Sequence, residues 1–277
     1  GREIPPGRLG LDYSGAVRVV ASVVALVFST SAGLAAGQDL RLVSAAAAQD
    51  HRTVRTLVEQ GLDVNAARAD GATALLWAAH WDDADAVGML LRAGANVNAA
   101  DDHGVTPLER AAENASVLMV QTLLAAGANP NSSQTSGLTP LMTAARTGSV
   151  EVVEALLAYG AAVNAATTAT RSTALMWAVS ESHHGVARLL LSRGAAPGAA
   201  TADGFTPLLL AAAAGDIALA ETLLAAGIDV NETGSDDTHV LPYAIVNRQD
   251  AFALFLLDHG ADPNGSMGGV SAPHAAA

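Results

Sequence analysis

From Leu40 onward, apolar and polar positions along the chain follow one recurring plan. The stretch Gly204-Phe-Thr-Pro-Leu-Leu-Leu-Ala-Ala212 reads as the start of an apolar helix, and nearly the same phrase opens at Gly71, Gly104 and Gly137. Thr106, Thr139 and Thr206 are placed to cap these helices, with Pro107, Pro140 and Pro207 at the first helical position, where a missing N–H costs nothing. Behind them the pairs Ala111-Ala112, Ala144-Ala145 and Ala211-Ala212 leave so little side chain that neighbouring helices can approach closely. A short linker such as Thr147-Gly148 leads into a second helix, whose predicted apolar stripe is Val150, Val153, Leu156 and Leu157. Gly160 then supplies a left-handed residue that ends it, and the polar stretch that follows, closing on a residue pair such as Asp203-Gly204, predicts a hairpin-like finger.

A second phrase fixes the period. Gly61-Leu-Asp-Val-Asn65 recurs in variant form at Gly94, Gly127, Gly160, Gly194, Gly227 and Gly260, at spacings of 33, 33, 33, 34, 33 and 33. One such unit cannot bury its own faces, whereas stacked units can. In period and in phrase (Thr-Pro-Leu, Ala-Ala, Leu-Leu and Gly-Ala-Asp/Asn-x-Asn in register) the chain resembles the ankyrin-repeat family. The resemblance implies an all-α solenoid of stacked antiparallel helix pairs with hairpin-like fingers, the fingers and first helices forming a concave face. Seven repeats are expected over 38–266, with breaks near 67, 100, 133, 166, 200 and 233, and an incomplete eighth over 267–277. The last complete repeat has no polar capping repeat behind it, so the natural chain is expected to run on past Ala277. The family's histidine after Thr-Pro-Leu is replaced by Leu76, Glu109, Met142, Met176 and Leu209, and returns only at His274. The fifth finger, Thr167–Ser172, carries one extra residue and no glycine, and the seventh, Gly234–His239, is irregular too.

Residues 1–37 follow a different plan. Arg2, Arg8 and Arg18 precede the apolar run Val19–Phe28, and small residues lead to Ala35-Ala36-Gly37, the order of a secretory signal peptide. The alternative is an uncleaved membrane anchor over 19–36. The expected location is periplasmic or secreted, or membrane-anchored if the segment stays.

Composition narrows the function. Half of the chain is hydrophobic (51%) and only 4% aromatic, which suits many thin, closely packed helices. A formal charge of -13 with only 14 scattered Lys and Arg argues against nucleic acid, whose phosphates need clustered cations, so no nucleic acid partner is expected. There is no cysteine, which removes disulfides, thiolate catalysis and thiolate zinc sites. The adjacent pair His183-His184 reads as a solvated helix-junction pair, and Asp82-Asp83-x-Asp85 and Asp236-Asp237 as linker acids that fit no calcium loop of the EF-hand type. No phosphate loop, nucleophile elbow or paired carboxylates emerge, and catalytic residue, cofactor, metal and small-molecule substrate are all expected to be absent.

The family resemblance implies a scaffold for a protein partner, with specificity in variable finger and inner-helix residues. An alternative is the recognition part of a longer enzyme, toxin or membrane protein. The row just past the Ala-Ala pair contains Trp81, Glu113 and Arg146, and the row after the finger glycine contains Ala72, Val105, Leu138 and Phe205. Exposed apolar groups in a row, with Trp and Arg nearby, define the candidate partner-binding set Trp81, Glu113, Arg146, Val105, Leu138 and Phe205. The competing expectation is that the finger apolars pack against each other. Trp77, Trp177 and Tyr243, in equivalent slots, are read as packing between repeats.

Overall fold

The computed structural model describes residues 39–234, 237–267 and 270–271. The expectations for 1–37, for Asp236, for His274 and for most of 267–277 fall outside them. Among the described residues there are fourteen helices, and the all-α expectation holds. Seven inner helices are α1 (Arg41–Ala47), α3 (Ala74–His80), α5 (Pro107–Glu113), α7 (Pro140–Thr147), α9 (Ala174–Ser180), α11 (Pro207–Ala214) and α13 (Val240–Val246). Each is followed by an outer partner: α2 (His51–Glu59), α4 (Ala84–Arg92), α6 (Val117–Ala125), α8 (Val150–Ala158), α10 (His184–Ser192), α12 (Ile217–Ala225) and α14 (Asp250–Asp258). Each inner helix packs on the next inner helix, and outer helices pack on their neighbours at α2–α4, α6–α8, α8–α10 and α10–α12, giving two layers. A two-residue antiparallel ladder, β1 (Ser266–Met267) with β2 (Val270–Ser271), follows α14.

The inner helices start where local chemistry dictates. Thr73, Thr106, Thr139, Thr173 and Thr206 have extended backbone, and each side-chain oxygen accepts from the backbone N–H three residues on. All five threonines are buried, so loss of a hydroxyl would leave an N–H without solvent or partner, a cost of about 1–2 kcal/mol. The predicted alanine pairs are buried to the last atom or nearly so, which lets consecutive inner helices touch along their backbones. On α8 the buried arc is Val152, Val153, Ala155 and Leu156, and Val150, expected in the stripe, is exposed at the rim. At 100° per residue Val152, Val153 and Leu156 cluster on one side, and Val150 and Leu157 share its edge. The Val150 side chain instead lies over Gly185 of the next outer helix.

Two sets of polar contacts lock the register between repeats. The fingers form a ladder, in which Asp102 N–H donates to Asp70 O (2.9 Å), Thr135 to His103 (2.9 Å), Thr168 to Ser136 (3.0 Å) and Ala202 to Thr170 (2.9 Å). Gly104 shows why glycine is required there: its φ is +80°, and a Cβ would come within 2.9 Å of Ser133 O in the neighbouring finger. In the fifth finger Arg171 takes the left-handed conformation instead, at φ +55°. The extra residue makes room for hydroxyl contacts that hold this loop, Thr167–Thr170 (2.7 Å), Thr170–Ser172 (2.8 Å) and Ser172 N–H to Thr167 Oγ1 (2.9 Å).

The second set is an asparagine clamp. Asn65, Asn98, Asn131, Asn164 and Asn231 each donate to the carbonyl of the next repeat's helix-ending glycine at 2.9–3.2 Å. Each also accepts, at 2.7 Å, from the backbone N–H two residues beyond that glycine. The fifth repeat breaks the series with Gly198, which has no side chain to reach Gly227 O and Asp229 N. Gly198 lies outside the left-handed region, and the nearest heavy atom to an added Cβ is Glu232 Oε2, at 3.9 Å. Gly198→Asn is therefore expected to fit, restore two hydrogen bonds and reduce unfolded-state freedom, raising stability by about 1–2 kcal/mol. Chemical denaturation measures this; a lower midpoint than the parent would show that the fifth and sixth repeats do not stack like the rest.

Candidate functional site

The helix junctions hold the first departures from the sequence reading. The outer helices are capped by Asp50, Asp83, Ser116, Ser149 and Asp216, whose side chains accept from the first turn. His183 and Gln249 occupy the same position without a cap bond. They reach back across the repeat boundary instead, His183 Nε2 lying 3.0 Å from Arg146 O and Gln249 Nε2 donating to Ala213 O (3.2 Å). The space they use comes from Gly148 and Gly215, where a Cβ would sit 2.6 Å from the His183 ring and 2.3 Å from Gln249 Oε1. His184 pairs with Asp216 of the next repeat at 2.9 Å, as His51 pairs with Asp83 at 2.8 Å. His183-His184 is thus an inter-repeat contact rather than a solvated pair. Asp83 is likewise spent on capping Ala86 N–H and on His51, and Asp82 serves as a left-handed junction residue. Among the described residues no three His, Cys, Asp or Glu side chains come together in a way that would hold a metal ion.

The side of the inner helices away from the outer layer carries two adjacent rows, the first half-buried with Thr143 fully so, the second more open. One, four residues after each helix's N-cap, reads Trp77, Arg110, Thr143, Trp177, Leu210 and Tyr243; the next, three residues further on, reads His80, Glu113, Arg146, Ser180, Ala213 and Val246. All three tryptophans of the chain lie here or at the adjoining Trp81. Trp77 and Trp177 are half-buried against the core and keep part of each indole open. The His80 ring stands edge-on to Trp77 (5.7 Å) and Trp81 (4.7 Å), and burial, with Arg110 nearby, lowers its pKa and favours the neutral imidazole. Trp81 is 40% exposed, and its indole N–H donates to Ala47 O of the first repeat at 3.1 Å, so it also ties two repeats together. Glu113 is held by Arg110 at 2.8 Å, and the Arg146 guanidinium lies 5.9 Å from the Trp177 ring centre.

The finger row divides. Val105 is buried, with 7% of its surface accessible, as is Ala72, so both pack into the stack and are removed from the accessible set. Leu138 and Phe205 remain partly open. Phe205 meets Tyr243 edge-to-face at 5.9 Å, beside a cleft of about 160 Å³ lined also by Asp203, Leu209 and Met267. The structure therefore brings Trp81, Glu113 and Arg146 onto the inner-helix face together with Trp77, Arg110 and Trp177, which the sequence reading had assigned to packing or passed over. Aligning the repeats position by position places Trp77, Arg110 and Trp177 in one row.

A solenoid of seven helix pairs joined by a finger ladder is the class this geometry defines. The family model "Ankyrin repeats (3 copies)" matches residues 42–134, 118–200 and 193–266, and the chain belongs to the ankyrin-repeat family. It is similar to the human ASB11 ankyrin repeat domain in its crystal structure, with 26% identity and a TM-score of 0.70 over 80% of this chain and 98% of that one. No curated protein sequence matches.

One buried acid sits behind the face. Glu109, in the slot after Thr-Pro-Leu, has 4% of its surface accessible and accepts from Thr143 Oγ1 of the fourth repeat and from Gln134 Nε2 (3.3 Å). Burial, partly opposed by these hydrogen bonds, pushes its carboxyl from an ordinary 4.5 up to about 7. The pKa is raised by folding, so the stabilising contribution is complete below 4.5 and is lost as pH rises through about 7. Glu109→Gln is expected to match the parent near pH 4 and to exceed its stability at pH 8 by on the order of 2–3 kcal/mol. Denaturant midpoints at the two pH values test this; an equal gap at both would place the carboxylate in a hydrated site.

Proposed function

We propose that this chain is a noncatalytic scaffold, exported to the periplasm or beyond, that holds a protein partner on its inner-helix face. Ankyrin repeats build protein–protein interaction modules, which is the general part of this reading. The observation that carries the particular part is the gathering of Trp77, Trp81, Trp177, Arg110 and Arg146 on one partly open face of an otherwise alanine- and leucine-rich stack. Tryptophan and arginine are the residue types that dominate binding energy at interfaces. The absence of a nucleophile-and-base pattern in the sequence supports a noncatalytic role. Export rests on the basic, apolar and small-residue order of residues 1–37, with an anchor over 19–36 as the other outcome of the same segment.

Expression of the full chain in a host with a general secretion pathway is expected to yield mature protein starting between Ala36 and Asp39, as read by N-terminal sequencing. Soluble cytosolic protein still bearing Arg2 or Arg8 would refute export. For the face, Trp81→Ala and Phe205→Ala are expected each to weaken capture of the natural partner by about 1–3 kcal/mol. Trp81→Ala is also expected to cost about 1 kcal/mol of stability through its lost bond to Ala47, so binding is measured at a temperature where both proteins are folded. Unchanged affinity in both variants would move the partner to another face.

A further inference from the structure

Three side-chain N–H groups are buried without an acceptor among the described residues: Trp77 Nε1, Arg110 Nε and Trp177 Nε1. All three occupy one row, in the second, third and fifth repeats. The fourth repeat's member of that row, Thr143, donates its hydroxyl hydrogen bond to Glu109. On the next turn Arg146 lies over Trp177, and no carboxylate among the described residues pairs with it. Glu113, the nearest acid of its row, is already held by Arg110. This stretch of the face offers three unmatched donors and the Arg146 guanidinium, and its carboxylates stand at the edge: Glu113, held by Arg110, and the exposed Glu181 at the end of α9. A buried donor without a partner forgoes its hydration with nothing in return, a loss that an indole or guanidinium recovers by turning toward an arriving oxygen.

We propose that the partner presents an extended acidic segment, with carboxylates alternating with aliphatic or aromatic side chains, laid along the inner helices from Trp81 to Trp177. One carboxylate meets Arg146, where a planar guanidinium backed by an indole suits two-point contact, and the apolar side chains lie against the indoles. A basic segment would set its charges against Arg110 and Arg146 and leave the donors unmatched. Many of the chain's acids lie on the outer helices, such as Glu151 and Glu154 on α8 and Asp250 and Asp258 at the ends of α14, while Asp101 and Asp102 sit in a finger beside the face. At physiological salt their field decays over about 8 Å, so the local cation decides the match. This inference rests on the interaction-face reading above and specifies the partner's chemistry.

The test uses the full chain and two twelve-residue peptides, one alternating Glu with Leu and Phe, the other identical with Lys in place of Glu. Because the only three tryptophans lie on or beside this face, their emission reports binding there directly. The acidic peptide is expected to change the emission saturably, the lysine peptide not. Arg146→Glu is expected to weaken the acidic peptide at least about 10-fold and to gain binding of the lysine peptide, a reversal that a misfolded variant cannot produce. Arg188→Gln, exposed on α10, is expected to leave both titrations unchanged. A wild-type preference for the lysine peptide would overturn the acidic assignment and leave the face standing. Silence with both peptides, together with a natural partner indifferent to Trp81→Ala, would overturn the assignment and the face alike.

Discussion

Everything in this molecule depends on how closely one inner helix can approach the next. A helix pair of this size leaves apolar surface on both sides and has no stable core of its own, so stability accrues at the boundaries between repeats. The alanine pairs set that distance, because a larger side chain at Ala111, Ala112, Ala144 or Ala145 would hold two backbones apart and strip the flanking leucines of their contacts. The threonine caps belong to the same constraint. With the helix starts buried at the boundary, water cannot satisfy their N–H groups, and only a short side chain at the cap can do so without widening the gap.

Once that spacing is set, each repeat position becomes a row, and rows divide the work. Positions inside the boundary are nearly invariant along the chain. The finger backbone bonds and the asparagine clamp fix rotation and register, so successive repeats cannot slide. Exceptions are accommodated in pairs. A junction glycine at 148 or 215 coincides with a long polar residue, His183 or Gln249, in the following repeat, and the two together replace a helix cap with a contact across the boundary. Gly198 stands apart, since no compensating side chain accompanies it in the structure.

How far the sequence could be read follows the same division. Helix starts, helix ends and finger glycines are determined within a few residues of themselves, and Thr106-Pro107, Gly160 and Gly104 sit as their local chemistry requires. What could not be read lies across boundaries some 35 residues apart in sequence. Nothing near Trp81 announces that its indole reaches Ala47, and nothing near His183 announces the glycine beneath it. The burial of Val105 depends on how deeply a finger leans on its neighbour, and the choice of Val152 over Val150 on a phase that a two-turn helix leaves ambiguous. Trp77 and Trp177 occupy equivalent slots, but the half-open state of their rings depends on how the neighbouring repeats cover them.

Departures from the repeat pattern are therefore more informative than matches to it. A side chain that satisfies a boundary serves the stack, and its identity is explained by packing. Glu109 is intermediate, since its oxygen bonds Thr143 and Gln134 and so helps join the third and fourth repeats while carrying the cost of a buried acid. Arg110, the next residue of the same helix, has a buried nitrogen with no acceptor among the described residues, and Arg146 one repeat later has an indole for company but no counter-ion among them. Arg110 does nothing for stacking that the Leu210 of its row could not do at lower desolvation cost, and Arg146 nothing that the Ala213 of its own row could not. Residues that the stack does not require, set on the face that all seven inner helices share, are where recognition of another molecule has room to be written.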